Sequence, residues 1–308
     1  MHKFEKTIRE ENSLSTISNQ ATSNARFRDN AELKYSLRSI DLYAPWLNKV
    51  YIITDQQIPQ WIDTSSVTIV DHEDIFPSNV AKPVFNSNVI ELCMHRIPGL
   101  QEHFIAFNDD MMLSAPVYPR DFFSDTGKPI MWVVKENAKK FLESVSEYHA
   151  DSERQRATNR TLRIFIDAYQ TIPPYKLKHT PKPWTVSGMH CFWDEFHSFV
   201  QESLQYRLRN EKNLITIVAF AFFMLLTDRA SPREIYGAQR IVDMLSGRCR
   251  HIGASLGDPL WKRRMRKIRS ARPLTFCLND AEPSSQQDRD ELQLFFKEMF
   301  PAKSRFER

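Results

Sequence analysis

Phe104-Ile105-Ala106-Phe107-Asn108-Asp109-Asp110 is an apolar strand that ends abruptly in polar oxygens. Side chains alternate faces along a strand, so Asn108 and Asp110 are expected on one side and Asp109 on the other. Open α/β sheets bind ligands outside the carboxyl ends of their strands, where these oxygens would sit. Hard divalent cations that hold phosphates need such oxygen ligands and take only one or two from the protein. The competing reading is a strand-terminating turn, for which Asn and Asp are common choices.

Outward from this stretch, short apolar runs alternate with helical patterns. Val50 to Asp55 and Val67 to Asp71 read as buried strands, and Ile130 to Val134 as another. Asp29 with Glu32 forms a capping-box arrangement before a helix that carries Leu33, Leu37, Ile40 and Leu42, and Pro45 stops it. A further helix is expected from about Asn88 to Ile97. The alternation predicts an α/β fold with a doubly wound, mostly parallel sheet. Beyond residue 135 helical patterns dominate, over about 136–170, 192–207, 211–227 and 233–247. The chain then closes with an apolar strand, Leu274 to Leu278, which ends in Asn279-Asp280, and a helix over about 286–299. The expected organisation is an N-terminal helix and loop over 1–25 and one catalytic domain over 26–308. That domain divides into an α/β core (26–135), a helical part (136–265) and the closing strand and helix (266–308).

Bulk properties exclude several classes. A net charge of +4 is too mild to imply general nucleic-acid binding. The seven glycines are dispersed, which rules out a Gly-rich phosphate cradle, so any bound phosphate must be met by metal, Arg and His. Four scattered cysteines without a CxxC pair suit a reducing compartment. Met1 to Lys6 has no signal-peptide shape. The run from Leu214 to Leu226, broken only by Thr216, is too short to span a bilayer and reads as a buried helix. His190, Cys191 and His197 lack a fourth ligand at zinc spacing, so a helix with a buried cysteine is favoured there. Seven basic residues lie between Lys262 and Arg272, a pattern usual for a solvated face and otherwise suited to an anionic partner.

A set of short motifs in order adds a resemblance. They are Arg26-Phe27-Arg28-Asp29-Asn30, Glu32-Leu33-Lys34-Tyr35-Ser36-Leu37-Arg38-Ser39, Ala44-Pro45-Trp46, Ile52-Ile53-Thr54-Asp55 and Ile58-Pro59-Gln60-Trp61. Phe85-Asn86-Ser87-Asn88-Val89-Ile90-Glu91, His95-Arg96-Ile97-Pro98-Gly99-Leu100 and Phe107-Asn108-Asp109-Asp110 follow. Together they resemble the Stealth family of sugar-1-phosphate transferases, which includes bacterial capsule phosphotransferases and the catalytic subunit of the lysosomal-enzyme N-acetylglucosamine-1-phosphotransferase. Fainter matches are His179-Thr180-Pro181, Arg209 thirty residues on, and Cys277-Leu278-Asn279-Asp280 with Phe295 to Pro301 and Phe306-Glu307. The family's opening strand, with a Tyr-Thr-Trp-Val-like motif, is not found before Arg26, so the expectation is either a truncated start or a natural variant that lacks part of the donor pocket.

The resemblance implies a GT-A-like core with a helical C-terminal elaboration, and transfer of hexose-1-phosphate from a UDP-sugar to a hydroxyl of an acceptor oligosaccharide or polysaccharide, with release of UMP. It implies His179 as general base, Arg209 on the transferring phosphate, and Asp110 with Asp280 as ligands of Mg²⁺ or Mn²⁺. Asn108 and Asn279 would support them. Glu91 and Arg38 would bind substrate, although Asn88 with Glu91 is also a capping-box pattern and Arg38 also suits a structural ion pair. The expected setting is cytoplasmic, with peripheral contact at the inner face of the plasma membrane or with capsule assembly machinery, and no nucleic acid. Two rivals remain open: a metal-dependent glycosyltransferase releasing UDP, and a non-catalytic nucleotide-sugar-binding remnant.

Overall fold

The computed structural model describes residues 2–12, 28–146, 152–235, 250–281 and 284–308. An N-terminal helix α1 (His2–Asn12) precedes α2 (Glu32–Tyr43). Strands β1 (Tyr51–Thr54) and β2 (Thr68–Asp71) follow, then α3 (His72–Ile75) and α4 (Ser87–Cys93). Next come β3 (His103–Ala106), β4 (Met111–Leu113), α5 (Pro119–Phe122) and β5 (Ile130–Lys135). Helices α6 (Ala138–Ser146) and α7 (Glu153–Tyr169) lead to β6 (Tyr175–Leu177) and β7 (Lys182–Thr185). Three helices follow, α8 (Val186–Glu195), α9 (His197–Leu204) and α10 (Thr216–Leu226), and then β8 (Ser231–Glu234). The chain ends with β9 (His251–Ser255), α11 (Trp261–Ala271), β10 (Thr275–Asn279) and α12 (Gln286–Met299).

The fold is mixed α/β, but the described strands form four small sheets. Parallel pairs join β1 to β2, β9 to β10 and β5 to β8, whereas β4–β10, β3–β7 and β5–β6 are antiparallel. The expectation of a mostly parallel sheet is therefore met in half of these pairings. The stretch beyond residue 135 was expected to be helical, yet it supplies β6, β7, β8 and β9. These are short and lack a clean alternation, and β7 is buried at all four positions. Their pairing with β3 and β5 carries the sheets across residue 135. The helix expected over 233–247 begins instead with β8, and its remainder from 236 lies outside the described residues, as does Cys249.

Where periodicity was strong, the elements form as read. Helix α12 is capped by Ser285, whose hydroxyl exchanges hydrogen bonds with Asp288, and it buries Leu292, Phe295, Phe296 and Met299 at helical spacing. The run before Leu226 becomes α10, with Phe220, Phe222, Phe223 and Met224 buried in an aromatic core shared with Phe192 and Trp184. No helix among the described residues is long and apolar enough to cross a membrane. The basic run forms α11, with Trp261, Met265 and Ile268 turned inward. Lys262, Arg264 and Arg269 pair with Glu291, Asp258 and Glu298, while Arg263, Arg266 and Lys267 are exposed.

Gly188 sits in the first turn of α8, where Thr185 caps the helix by accepting from the Gly188 amide. A Cβ there would stand 2.6 Å from Thr185 Oγ1 and 2.7 Å from Met224 Sδ. Gly188→Ala is expected to destabilise the protein by about 1–3 kcal/mol through overpacking. A lower midpoint in urea at unchanged slope would register this, and an unchanged midpoint would refute the packing argument.

Candidate active site

Two antiparallel seams bring the chemistry together. In the first, β3 and β7 pair with Ala106 opposite Lys182, so the chain leaving β3 towards Asp110 meets the chain entering β7 from His179. In the second, Met111 at the start of β4 lies opposite Cys277 of β10. The result is a cluster in which ligand atoms of Asp110, His179 and Cys277 all lie within 4.8 Å of one another. His179 Nε2 is 3.4 Å from Asp110 Oδ1, and both side chains are partly open to solvent.

The motif itself sits on a turn. Strand β3 stops at Ala106, the Asn108 carbonyl accepts from the Met111 amide, and Asp109 Oδ1 accepts from the Asp110 amide. The expected strand alternation over 108–110 does not apply, because these residues spend their hydrogen bonds on reversing the chain. Turn and site coincide here. Asp109 is open to solvent on one side, yet the protein packed around it, and then the charges of Asp110 and Glu32, raise its pKa.

Asp110 Oδ1 is a buried atom that accepts no hydrogen bond, whereas Oδ2 accepts weakly from the Cys277 thiol at 3.4 Å. That thiol also donates to Asn279 Oδ1 at 2.8 Å. Burial and the neighbouring Asp110 charge push the Cys277 pKa well above the ordinary thiol range, so the sulfur stays protonated. A neutral thiol is a poor metal ligand. The donor set fits a hard cation held through Asp110 oxygen, with phosphate and water completing its shell. Asp280 is not in this cluster. Its carboxylate is taken by Arg28 at 3.5 Å, by the Asn30 amide at 3.5 Å and by the Ser284 hydroxyl.

Helix α4 supplies the second group. Asn86 caps it, accepting from the Asn88 amide, while its own amide donates to the carbonyls of Tyr206 and Leu208 and to Asn213 Oδ1. That fastens the loop bearing Arg209 to the start of α4. Ser87 and Glu91 lie one turn apart on the helix. Arg209 Nη2 donates to Ser87 Oγ at 2.9 Å, and Arg209 attracts Glu91 electrostatically. Since Asn86 does the capping, Glu91 is free of the capping-box role and is buried with Oε2 unpartnered. Burial pushes its pKa up to about 7, against the pull of Arg209, Arg154 and Lys182.

Arg38 is placed elsewhere. Its guanidinium forks onto both carboxylate oxygens of Glu307, at 2.7 and 2.8 Å, and reaches the Phe300 carbonyl at 2.8 Å. This is the structural ion pair, joining α2 to the C-terminal segment. His190, Cys191 and His197 form no ligand cluster among the described residues.

Three neighbours were not signalled by the sequence. Lys182 is buried on β7 and Arg154 opens α7 within electrostatic reach of Glu91. His251 of β9 bonds Thr275 Oγ1 through Nδ1 at 3.0 Å. Burial, and then the positive charge of Lys182, push the His251 pKa down to about 3. None lies in a motif that could have flagged it, since strand register and helix packing bring each one in.

Comparison with known proteins now bears on this site. The chain matches the family models for Stealth protein CR2, conserved region 2, over residues 26–131 and Stealth protein CR4, conserved region 4, over residues 266–308. It is 30% identical to the capsular polysaccharide phosphotransferase WcwK of Streptococcus pneumoniae, over 98% of this chain and 94% of that protein. The chain belongs to the Stealth family. It is likewise 30% identical to the receptor polysaccharide phosphotransferase WefC of Streptococcus oralis, over 96% of this chain and 91% of the relative. The exopolysaccharide phosphotransferase cps2G of Lactiplantibacillus plantarum is 29% identical, over 94% and 88%. As a Stealth protein the chain is a sugar-phosphate transferase. The CR2 match spans Arg38, Glu91, Asn108 and Asp110, and the CR4 match spans Cys277, Asp280 and Glu307. His179, Lys182 and Arg209 fall between the two matched stretches.

Proposed function

We propose that this Stealth protein transfers hexose-1-phosphate from a UDP-sugar to a hydroxyl of an acceptor glycan, releasing UMP, in the synthesis of capsular or extracellular polysaccharide. The observation that carries the reading is the approach of His179 to Asp110 at 3.4 Å, with the half-buried Arg209 within electrostatic reach of both Asp110 and the buried Glu91. The acceptor oxygen attacks the β-phosphorus, the bond from that phosphorus to the UMP oxygen breaks, and the acceptor proton passes to His179. Asp110 facing Nε2 orients the ring and stabilises the imidazolium that forms, leaving Nδ1 to take the proton. Arg209 offsets charge on the equatorial phosphate oxygens. Mg²⁺ or Mn²⁺, when bound, would neutralise diphosphate charge; Asp110 would hold it, and Asp280 could join only by exchanging its present partners. Asn108 would contribute from the same turn.

The reading includes a GT-A-like core, supported by the carboxylate turn that follows the apolar strand β3. It also includes a cytoplasmic setting with contact at the membrane surface, supported by the exposed cations Arg263, Arg266 and Lys267 of α11. His179→Gln is expected to lower kcat for UMP release by about 10²–10⁴-fold, the usual contribution of a general base. The assay follows nucleotide products from UDP-glucose, UDP-galactose and UDP-N-acetylglucosamine with Mn²⁺ and an oligosaccharide acceptor. UDP in place of UMP would overturn the reading in favour of a glycosyltransferase, and an unimpaired His179→Gln would remove His179 as base.

A further inference from the structure

Lys182 is the least expected charge in the protein. It lies in a strand buried at every position, between the Lys178–Thr180 turn and Pro183-Trp184, and is only 4% exposed. Burying an ammonium costs free energy unless its donors are satisfied and its charge is offset. Two of its three donors have acceptors, and its charge is offset. Nζ donates to the Lys178 carbonyl and to Thr180 Oγ1, the latter at 3.2 Å, and the buried Glu91 attracts it. Those two acceptors belong to the residues on either side of His179. The Thr180 amide also donates to the Lys178 carbonyl at 2.9 Å, and Thr180 is itself 1% exposed. His179 thus stands at the apex of a tight turn whose two flanks are pinned from beneath by one side chain, while its ring projects towards Asp110.

We propose that Lys182 is a positioning residue for His179, a buried clamp that holds the turn so that the imidazole faces the reacting oxygen. The proposal rests on the reading of His179 as general base. Geometry alone gives the reason: misplacement of a reacting group by about 1 Å can cost on the order of 10²-fold in rate. Glu91 has a part in this, since its negative charge makes a buried cation tolerable at the position. Burial pushes the Lys182 pKa down to about 7, with Glu91 opposing.

The test uses the full chain and Lys182→Met, which keeps the stem and removes the ammonium. Two measurements are made. Backbone amide exchange, read by mass spectrometry over residues 175–184, should quicken at least about tenfold in the variant with the rest of the chain unchanged, as for a local opening. The kcat for UMP release should fall about 10- to 10²-fold with KM for the UDP-sugar within about twofold. In the His179→Gln background the same substitution should cost less than about twofold, because a clamp acting only through His179 has nothing left to position.

Unchanged exchange in the turn would overturn the clamp, and multiplicative losses in the double variant would overturn the link to His179. Should Lys182→Met raise exchange throughout the chain, Thr180→Val decides, because it removes one clamped acceptor and leaves the charge in place. It is expected to loosen the same turn and lower kcat in the same direction, and a wild-type turn with wild-type kcat would refute the proposal. If the unsubstituted chain releases no UMP from any donor, the proposed function fails, while the exchange measurement still judges the clamp.

Discussion

Asp110→Asn is expected to reduce UMP release by about 10³-fold or more while leaving the fold intact, combining loss of a charge-stabilising group with loss of a cation ligand. The substitution keeps the volume and lets the side-chain oxygen still accept from Cys277. It removes the negative charge that faces His179 at 3.4 Å and the buried Oδ1 that accepts no hydrogen bond. An uncharged amide cannot stabilise an imidazolium, and it is a weak ligand for a hard cation. The same variant should bind Mn²⁺ in the presence of UDP at least about tenfold more weakly, since the cation keeps only phosphate and water oxygens. Unchanged Mn²⁺ binding with lost turnover would confine Asp110 to orienting His179. Unchanged turnover would remove it from the site altogether.

Arg38→Met is expected to act on stability. Glu307 is 1% exposed at its side chain, and Arg38 meets both of its oxygens while Lys34 approaches at 3.3 Å. Removing the guanidinium leaves the buried carboxylate with only Lys34 and the Ser304 amide and hydroxyl, and takes a donor from the Phe300 carbonyl. Breaking one partner of such a buried pair costs about 3–5 kcal/mol. In a chain of this size that lowers Tm by on the order of 5–15 °C, measured by calorimetry. A raised KM for the donor at unchanged Tm would instead put Arg38 on substrate phosphate.

The pair also sets an acid limit. Burial pushes the Glu307 carboxyl up, but the Arg38 fork and the Ser304 amide outweigh it and hold the pKa at about 2. A folded-state pKa below the unfolded value means the unfolded chain binds the proton first as pH falls. The contribution is complete above the ordinary Glu range near ~4.3 and is lost between there and about 2. Chemical denaturation at pH 5 and pH 3 should therefore show a loss in the wild type that Arg38→Met largely lacks.

The same pair shows where sequence reading stops. Arg38 sits mid-helix in a motif, and the sequence left it between substrate phosphate and a structural ion pair. Its partner lies 269 positions away, so only the docking of the C-terminal segment on α2 shows the ion pair. Glu91 is the converse. Its capping-box spacing with Asn88 was real in the sequence, but Asn86 captured the helix start and left the carboxylate buried among cations.

What the sequence determined by itself was local or periodic. The apolar strand before Asn108, the buried run of α10, the capped amphipathic α12 and the family motifs follow from side-chain spacing, and spacing is written in the chain. Tertiary structure decided the pairings. Antiparallel register placed His179 against Asp110, strand β10 brought in Cys277 rather than the Asp280 carboxylate, and a buried Lys182 came to underpin the His179 turn. These contacts depend on which strand edges meet. That choice is made by the summed burial of distant apolar faces, a quantity no local window of sequence contains.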